Sequence, residues 1–168
     1  MEGSFGTPPI EDIMIKYRNF KREDLFYIFE ITHNNARQPT IENYRIDDAI
    51  WASNVLSWVK QAEEKSAVFQ VAIKNDKIVG FLIALPTSWQ YSEDVYLEFK
   101  ELIVDESLSR TDKARIVMEF AEIAEEEARK ADLRGLSAFS IRDNSQSYSN
   151  FFCKRLGWTP CSGAKKIF

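Results

Sequence analysis

The sequence predicts an α/β domain: a single mixed sheet with helices on both faces. Three observations carry that prediction. Short β-rich runs alternate with helical-period runs in the order β-α-α-β-β-β-α-β-α-β. The chain has 168 residues, enough for one core without staples. Hydrophobic residues make up 45% and charged residues 29%, the balance of a globular protein rather than a disordered one. No internal repeat and no interdomain linker is evident, so residues 13–168 read as one domain preceded by a loose arm, 1–12, containing Gly3, Gly6, Pro8 and Pro9.

Taken in order, Ile13 to Arg18 reads as a first strand. Asp24 opens a helix whose apolar residues, Leu25, Phe26, Ile28, Phe29 and Ile31, recur at helical spacing, and Asn34-Asn35 ends it. Asp47-Asp48 caps a second helix carrying Ile50, Trp51, Val55, Trp58 and Val59. Ala67 to Lys74 and Ile78 to Leu85 are strands joined by an Asn75-Asp76 hairpin, with Pro86 stopping the second. Val95 to Val104 is a longer strand that places Val95, Leu97, Phe99 and Ile103 on one face. Arg115 to Lys130 is a helix with Ile116, Val117, Phe120, Ala124 and Ala128 as its buried stripe. Leu136 to Ile141 is a strand, Ser145 to Arg155 a helix, and Trp158 begins a short last strand.

Charge and cysteine usage narrow the function classes. With 22 basic and 26 acidic residues the net charge is -4, so a chain-wide basic footprint for nucleic acid is missing. No apolar run reaches bilayer-spanning length, and Met1-Glu2-Gly3-Ser4-Phe5 lacks a secretory pattern. Cys153 and Cys161 are expected to be reduced thiols of a cytoplasmic protein, with a lone disulfide as the alternative. His33 is the single histidine, so no Cys/His metal cluster is expected; it reads as a helix C-terminus. Trp51, Trp58, Phe26 and Phe29 read as core at their helical spacing, with the lining of a pocket between the first two helices as the other reading. Glu125-Glu126-Glu127 reads as a solvated helix face.

Four local features stand in an order and spacing that resemble the GNAT acetyltransferases: Arg22-Glu23-Asp24-Leu25, Ile78-Val79-Gly80-Phe81, Leu102-Ile103-Val104 and Leu156-Gly157-Trp158. The resemblance covers roughly residues 13–160. It implies acetyl-CoA as cofactor, with pantetheine along the fourth strand near Ile103 and Val104. The pyrophosphate would then sit on amides at the start of the next helix, where unpaired N–H groups and the dipole favour anions. The family signature there, Gln/Arg-x-x-Gly-x-Gly/Ala, falls on Ser109, Arg110, Thr111, Asp112, Lys113 and Ala114, of which only Ala114 conforms. Asp112 replaces the central glycine, and a carboxylate aimed at two phosphates is repulsive by about 1 kcal/mol at contact range. Arg110, Lys113 and Arg115 are the cations that would compensate. The plain alternative is an ordinary helix N-terminus with Asp112 in its first turn.

The same resemblance implies the catalytic positions. The base of histone-type members is a glutamate six residues before the strand-end valine, which lands on Glu98; a solvent-facing or Lys-paired strand glutamate is the other reading. Glu101 alternates to the opposite face and shares a site with Glu98 only if the strand bulges. The family's acid tyrosine is replaced by Cys153, whose thiol is either a substitute acid or a small packed helix residue. The family's asparagine corresponds to Asn144, two residues further from Cys153 than usual.

Three functions follow as expectations. One is an acetyl-CoA-dependent N-acyltransferase acting on a small-molecule or peptide amine. The second is a catalytically silent structural or interaction protein with protein partners. Small internal virion proteins of short-tailed phages are similar to degenerate GNATs and show comparable replacements, which would place this chain in a virion interior. The third is a sensor that binds acyl-CoA without turning it over.

Overall fold

The structure, a computed structural model, describes residues 14–36, 47–64, 67–88, 93–138 and 145–159. These form β1 (Lys16–Asn19), a 3₁₀ turn (Arg22–Asp24), α1 (Leu25–Ala36), α2 (Asp48–Glu63), β2 (Val68–Lys74), β3 (Lys77–Ser88), β4 (Val95–Val104), α3 (Arg110–Lys130), β5 (Gly135–Ala138) and α4 (Ser145–Leu156). The expected arm, 1–12, lies outside the described residues, as do Asn144 and Cys161.

The strands lie in one sheet in chain order, antiparallel from β1 to β4, with β5 parallel to β4. Asn75 and Asp76 both take left-handed backbone angles (φ 53° and 58°), the geometry of a two-residue hairpin whose twist matches its strands. The parallel step needs a crossover, which α3 supplies across one face. Two apolar layers result. Ala72, Leu82, Ala84, Leu97, Phe99 and Val104 pack with the α3 stripe and Phe152 of α4. Phe69, Val71, Phe81, Ile83 and Ile103 pack with Ile28 and Ile31 of α1 and Val55 and Val59 of α2. Every residue of the expected α3 stripe is buried. At Gly80 a side chain's first carbon would lie 3.1 Å from the Ile103 carbonyl and 3.3 Å from Ile116, so glycine is what lets α3 settle on the sheet.

Several sequence expectations are corrected. β3 continues through Pro86 to Ser88. Among the described residues it pairs past Ala84 with β4 alone, because β2 begins opposite that residue, and an edge position tolerates the missing donor. α3 begins at Arg110, five residues earlier than periodicity indicates, because Ser109 caps a polar first turn with no apolar signal. Phe26 is 71% exposed rather than core. Trp158 is not in a strand; its ring packs on Phe99 and Phe152.

The most consequential correction is in β4. Ile83 pairs with Glu101 and Ala84 with Phe99, leaving Lys100 as an extra residue on β4, a β-bulge. One additional residue reverses the alternation beyond it. Leu97 and Phe99 face α3 before the bulge, Val104 faces it after, and Ile103 turns to the α1/α2 side. Ile103 therefore does not share a face with Leu97 and Phe99.

Candidate functional site

Three element ends meet where β4 runs out. Among the described residues β5 pairs with β4 from Tyr96 to Phe99, and β4 runs on to Val104. The loop after β4 is held by Asp105. Its amide donates to the Val79 carbonyl (2.8 Å) and its side chain accepts from the Ser107 amide (2.8 Å). Ser109 then caps α3, accepting from the Asp112 amide on Oγ (3.1 Å) and from the Lys113 amide on its carbonyl (3.0 Å). The amides of Arg110 and Thr111 come before the first intrahelical bond, and such groups have no partner within their helix.

A cavity of about 220 Å³ opens at this junction. Val104, Val117 and Phe151 form its apolar wall, Ala114 lies against it, and Glu106, Arg110 and Lys113 supply its charges. Arg110, Lys113, Ala114 and Val117 stand at i, i+3, i+4 and i+7, one face of α3. Asp112 is on the opposite face. Its Oδ2 accepts from Lys74 Nζ at 2.7 Å, both side chains being partly buried (17% and 24% exposed). The Lys74 ammonium holds the carboxyl below its ordinary range despite partial burial, with help from Ser109.

The carboxylate that the sequence aims at the phosphates therefore turns away from the cavity and ties α3 to the end of β2. The carboxylate that does line the cavity is Glu106, whose Oε2 accepts from Lys113 Nζ at 2.7 Å. Glu106 lies ahead of the signature window, which is why sequence reasoning passed over it. Thr111 and Arg115 are exposed and do not line the cavity. Ile103 is buried against α1 and α2.

Glu98 lies up-strand, opposite Leu85 where Val104 is opposite Gly80, roughly 17 Å away at about 3.3 Å per residue. It carries an ion pair, Lys100 Nζ donating to its Oε2 at 2.6 Å. The bulge supplies what strict alternation forbids: Glu98 and Glu101 both lie on the α1/α2 side of the sheet, in line with Ile83 and Ile103. Cys153 is half-buried on α4 with a free thiol. Its neighbours fix the helix: Phe151 lines the cavity and Phe152 packs edge-on against Phe99 (6.2 Å, 77°). Trp51 and Trp58, both on α2, meet edge to face at 5.3 Å as partly buried residues of that layer.

A larger hollow of about 500 Å³ lies at the opposite end of the sheet, between β1, α2 and β2. Its Arg22 and Glu63 pair with each other (3.5 Å). Its lining includes Glu127, near the end of α3 far from Arg110.

No family model matches the sequence, and no curated protein does. Solved structures do. A predicted acetyltransferase with acetyl-CoA from Clostridium acetobutylicum superposes with a TM-score of 0.68 at 12% identity, covering 92% of this chain and 96% of that one. A possible acetyltransferase from Clostridium difficile 630 gives 0.67 at 15%, with 92% and 96% coverage. The aminoglycoside 6'-N-acetyltransferase of Acinetobacter haemolyticus gives 0.59 at 15%, with 91% and 99% coverage. At such identities the likeness is one of fold, and the fold is that of the GNAT acetyltransferases.

Proposed function

We propose that this chain, which has the GNAT acetyltransferase fold, is an acetyl-CoA-dependent N-acyltransferase working on an amine in the cytoplasm. The observation that carries the reading is the cavity where the end of β4 meets the N-terminus of α3. It brings the strand-end Val104, the first turn of a helix and two cations together in one place.

The residues present fit the cofactor. Arg110 and Lys113 supply positive charge for a diphosphate, and the Arg110 and Thr111 amides supply donors. Ala114 keeps the helix face low. An extended amide-bearing arm would lie along the end of β4 past Phe99, where the β5 pairing stops among the described residues. When bound, acetyl-CoA supplies an activated acyl group whose sulfur leaves as a thiol.

Everything else falls to the chain's own groups. A primary amine is protonated at neutral pH, so it needs a base before it can form the C–N bond. Glu98 accepts that proton, and the Lys100 ammonium on its Oε2 fixes the carboxylate's orientation. The Cys153 thiol is the candidate to return a proton to the departing sulfur. A small-molecule acceptor is supported by the aminoglycoside acetyltransferase among the structures of like fold.

Calorimetry with acetyl-CoA tests the reading. Binding must raise the melting temperature, since a ligand well above its dissociation constant stabilises the folded state. No heat and no stabilisation at millimolar acetyl-CoA would exclude the cofactor. With binding established, Glu98→Gln should abolish transfer and spare affinity; unchanged turnover removes Glu98 from the mechanism.

A further inference from the structure

The geometry points to Glu106 as the residue that sets how tightly the cavity takes an anion. It stands in for a phosphate against Lys113 and must be displaced when diphosphate binds. The inference rests on the reading of this cavity as the diphosphate site.

Three observations lead there. Glu106 is the one carboxylate among the cavity's described lining residues, alongside the cations Arg110 and Lys113. Its ion pair joins the loop to the first turn of α3 at 2.7 Å, with both side chains still accessible (Glu106 37%, Lys113 30%). The loop does not depend on it. Asp105 already ties the loop to β3 and closes its turn, and Ser109 already caps the helix. A pair this exposed adds little to stability. Its effect is to occupy the one ammonium that projects into the cavity from the first turn of α3.

An arriving diphosphate has to win Lys113 from Glu106 and then lie beside the released carboxylate. Neutralising Glu106 removes both obstacles at once. Affinity should rise by about fivefold or more at low salt, the size of a contact-range charge repulsion in water. The gain should shrink as salt is added, because the groups are accessible to counterions.

The test is calorimetric titration of the wild type, Glu106→Gln and the double variant Glu106→Gln/Lys113→Gln, each with inorganic pyrophosphate and with acetyl-CoA. The expected result is tighter binding of both ligands to Glu106→Gln, with the gain lost in the double variant. Wild-type binding of acetyl-CoA that Glu106→Gln leaves unchanged or weakens would overturn the inference and leave the proposed activity standing. A pyrophosphate gain without any acetyl-CoA binding would uphold the anion site and sink the acyltransferase reading. Failure of both ligands on all three proteins would overturn both. A gain that survives loss of Lys113 would also overturn the inference, since the effect would not run through that ammonium.

Discussion

The substitution Asp112→Gly separates two accounts of the α3 N-terminus. If Asp112 faced the phosphates, glycine there would restore the family's residue and tighten the cofactor. In the structure it instead anchors the helix to Lys74, 2.7 Å away and on the face opposite the cavity. Losing that partly buried pair costs about 1 kcal/mol, the upper end for accessible ion pairs. Losing a carboxylate from the first turn of a helix costs about 0.3–1 kcal/mol more. Glycine's own helix penalty adds about 0.3–0.5 kcal/mol relative to aspartate. Together these approach 2 kcal/mol, a drop in melting temperature of roughly 4–8 °C for a domain of this size.

Thermal unfolding followed by circular dichroism measures the first effect, and acetyl-CoA titration measures the second, expected to change by less than about twofold. The pH dependence has a definite sign. Asp112 has a lowered folded pKa, with the Lys74 hydrogen bond as its main cause. Its contribution is present above the unfolded carboxylate pKa and is lost as pH falls through the folded one. The gap between wild type and variant should therefore narrow in acid. An unchanged melting temperature with fivefold tighter acetyl-CoA would refute the anchoring account.

Other expectations are more local. Gly80→Ala drives a methyl against the Ile103 carbonyl and Ile116 and should cost about 1–3 kcal/mol in denaturant unfolding; a neutral result would mean α3 sits further from the sheet. Tyr17 is pushed up to about 12, first by burial and then by Glu119. Stability carried by its protonated form is complete below pH 10 and lost as pH rises toward 12, so Tyr17→Phe should flatten the alkaline decline in melting temperature. Among the described residues the buried Tyr17 hydroxyl has no hydrogen-bond partner, so the same variant should be no less stable at neutral pH. Asp24 accepts two bonds from Arg18 (2.6 and 2.8 Å) and one from the Lys21 amide (2.8 Å). Burial alone would raise its pKa, but those bonds outweigh burial and lower it. Asp24→Asn should cost about 1.5–3 kcal/mol by chemical denaturation at neutral pH.

What the sequence made legible was whatever rests on local periodicity. The α3 stripe and the left-handed Asn75-Asp76 turn were readable because each is set by residues close in sequence. Asp47 as a helix cap, accepting from the Ala49 and Ile50 amides, was readable for the same reason. The partner of Asp112 lies 38 residues away, and no local pattern reports it. Its facing was recoverable in principle. Once Ser109 is taken as the cap, helical phase alone groups Arg110 with Lys113, Ala114 and Val117 and puts Asp112 on the other side. The bulge at Lys100 left a weaker trace: the apolar alternation of Val95, Leu97 and Phe99 breaks at Glu101, beside a second charge at Lys100, but no glycine marks the place. Residues 139–144, which include Asn144, fall outside the described residues, so the asparagine expectation stays with the sequence.

The supernumerary Lys100 gives β4 one residue that its pairing with β3 does not count. Exchanging that lysine for another side chain leaves both halves of the strand correctly presented. Excising it would let Glu101 follow Phe99 in plain alternation, so Ile103 would keep its place toward α1 and α2 and Val104 its place in the cavity wall. Removing any one residue from 101 to 103 instead would turn the strand end over. A library varying this strand should therefore tolerate many letters at Lys100, and its loss, but no gap just beyond it.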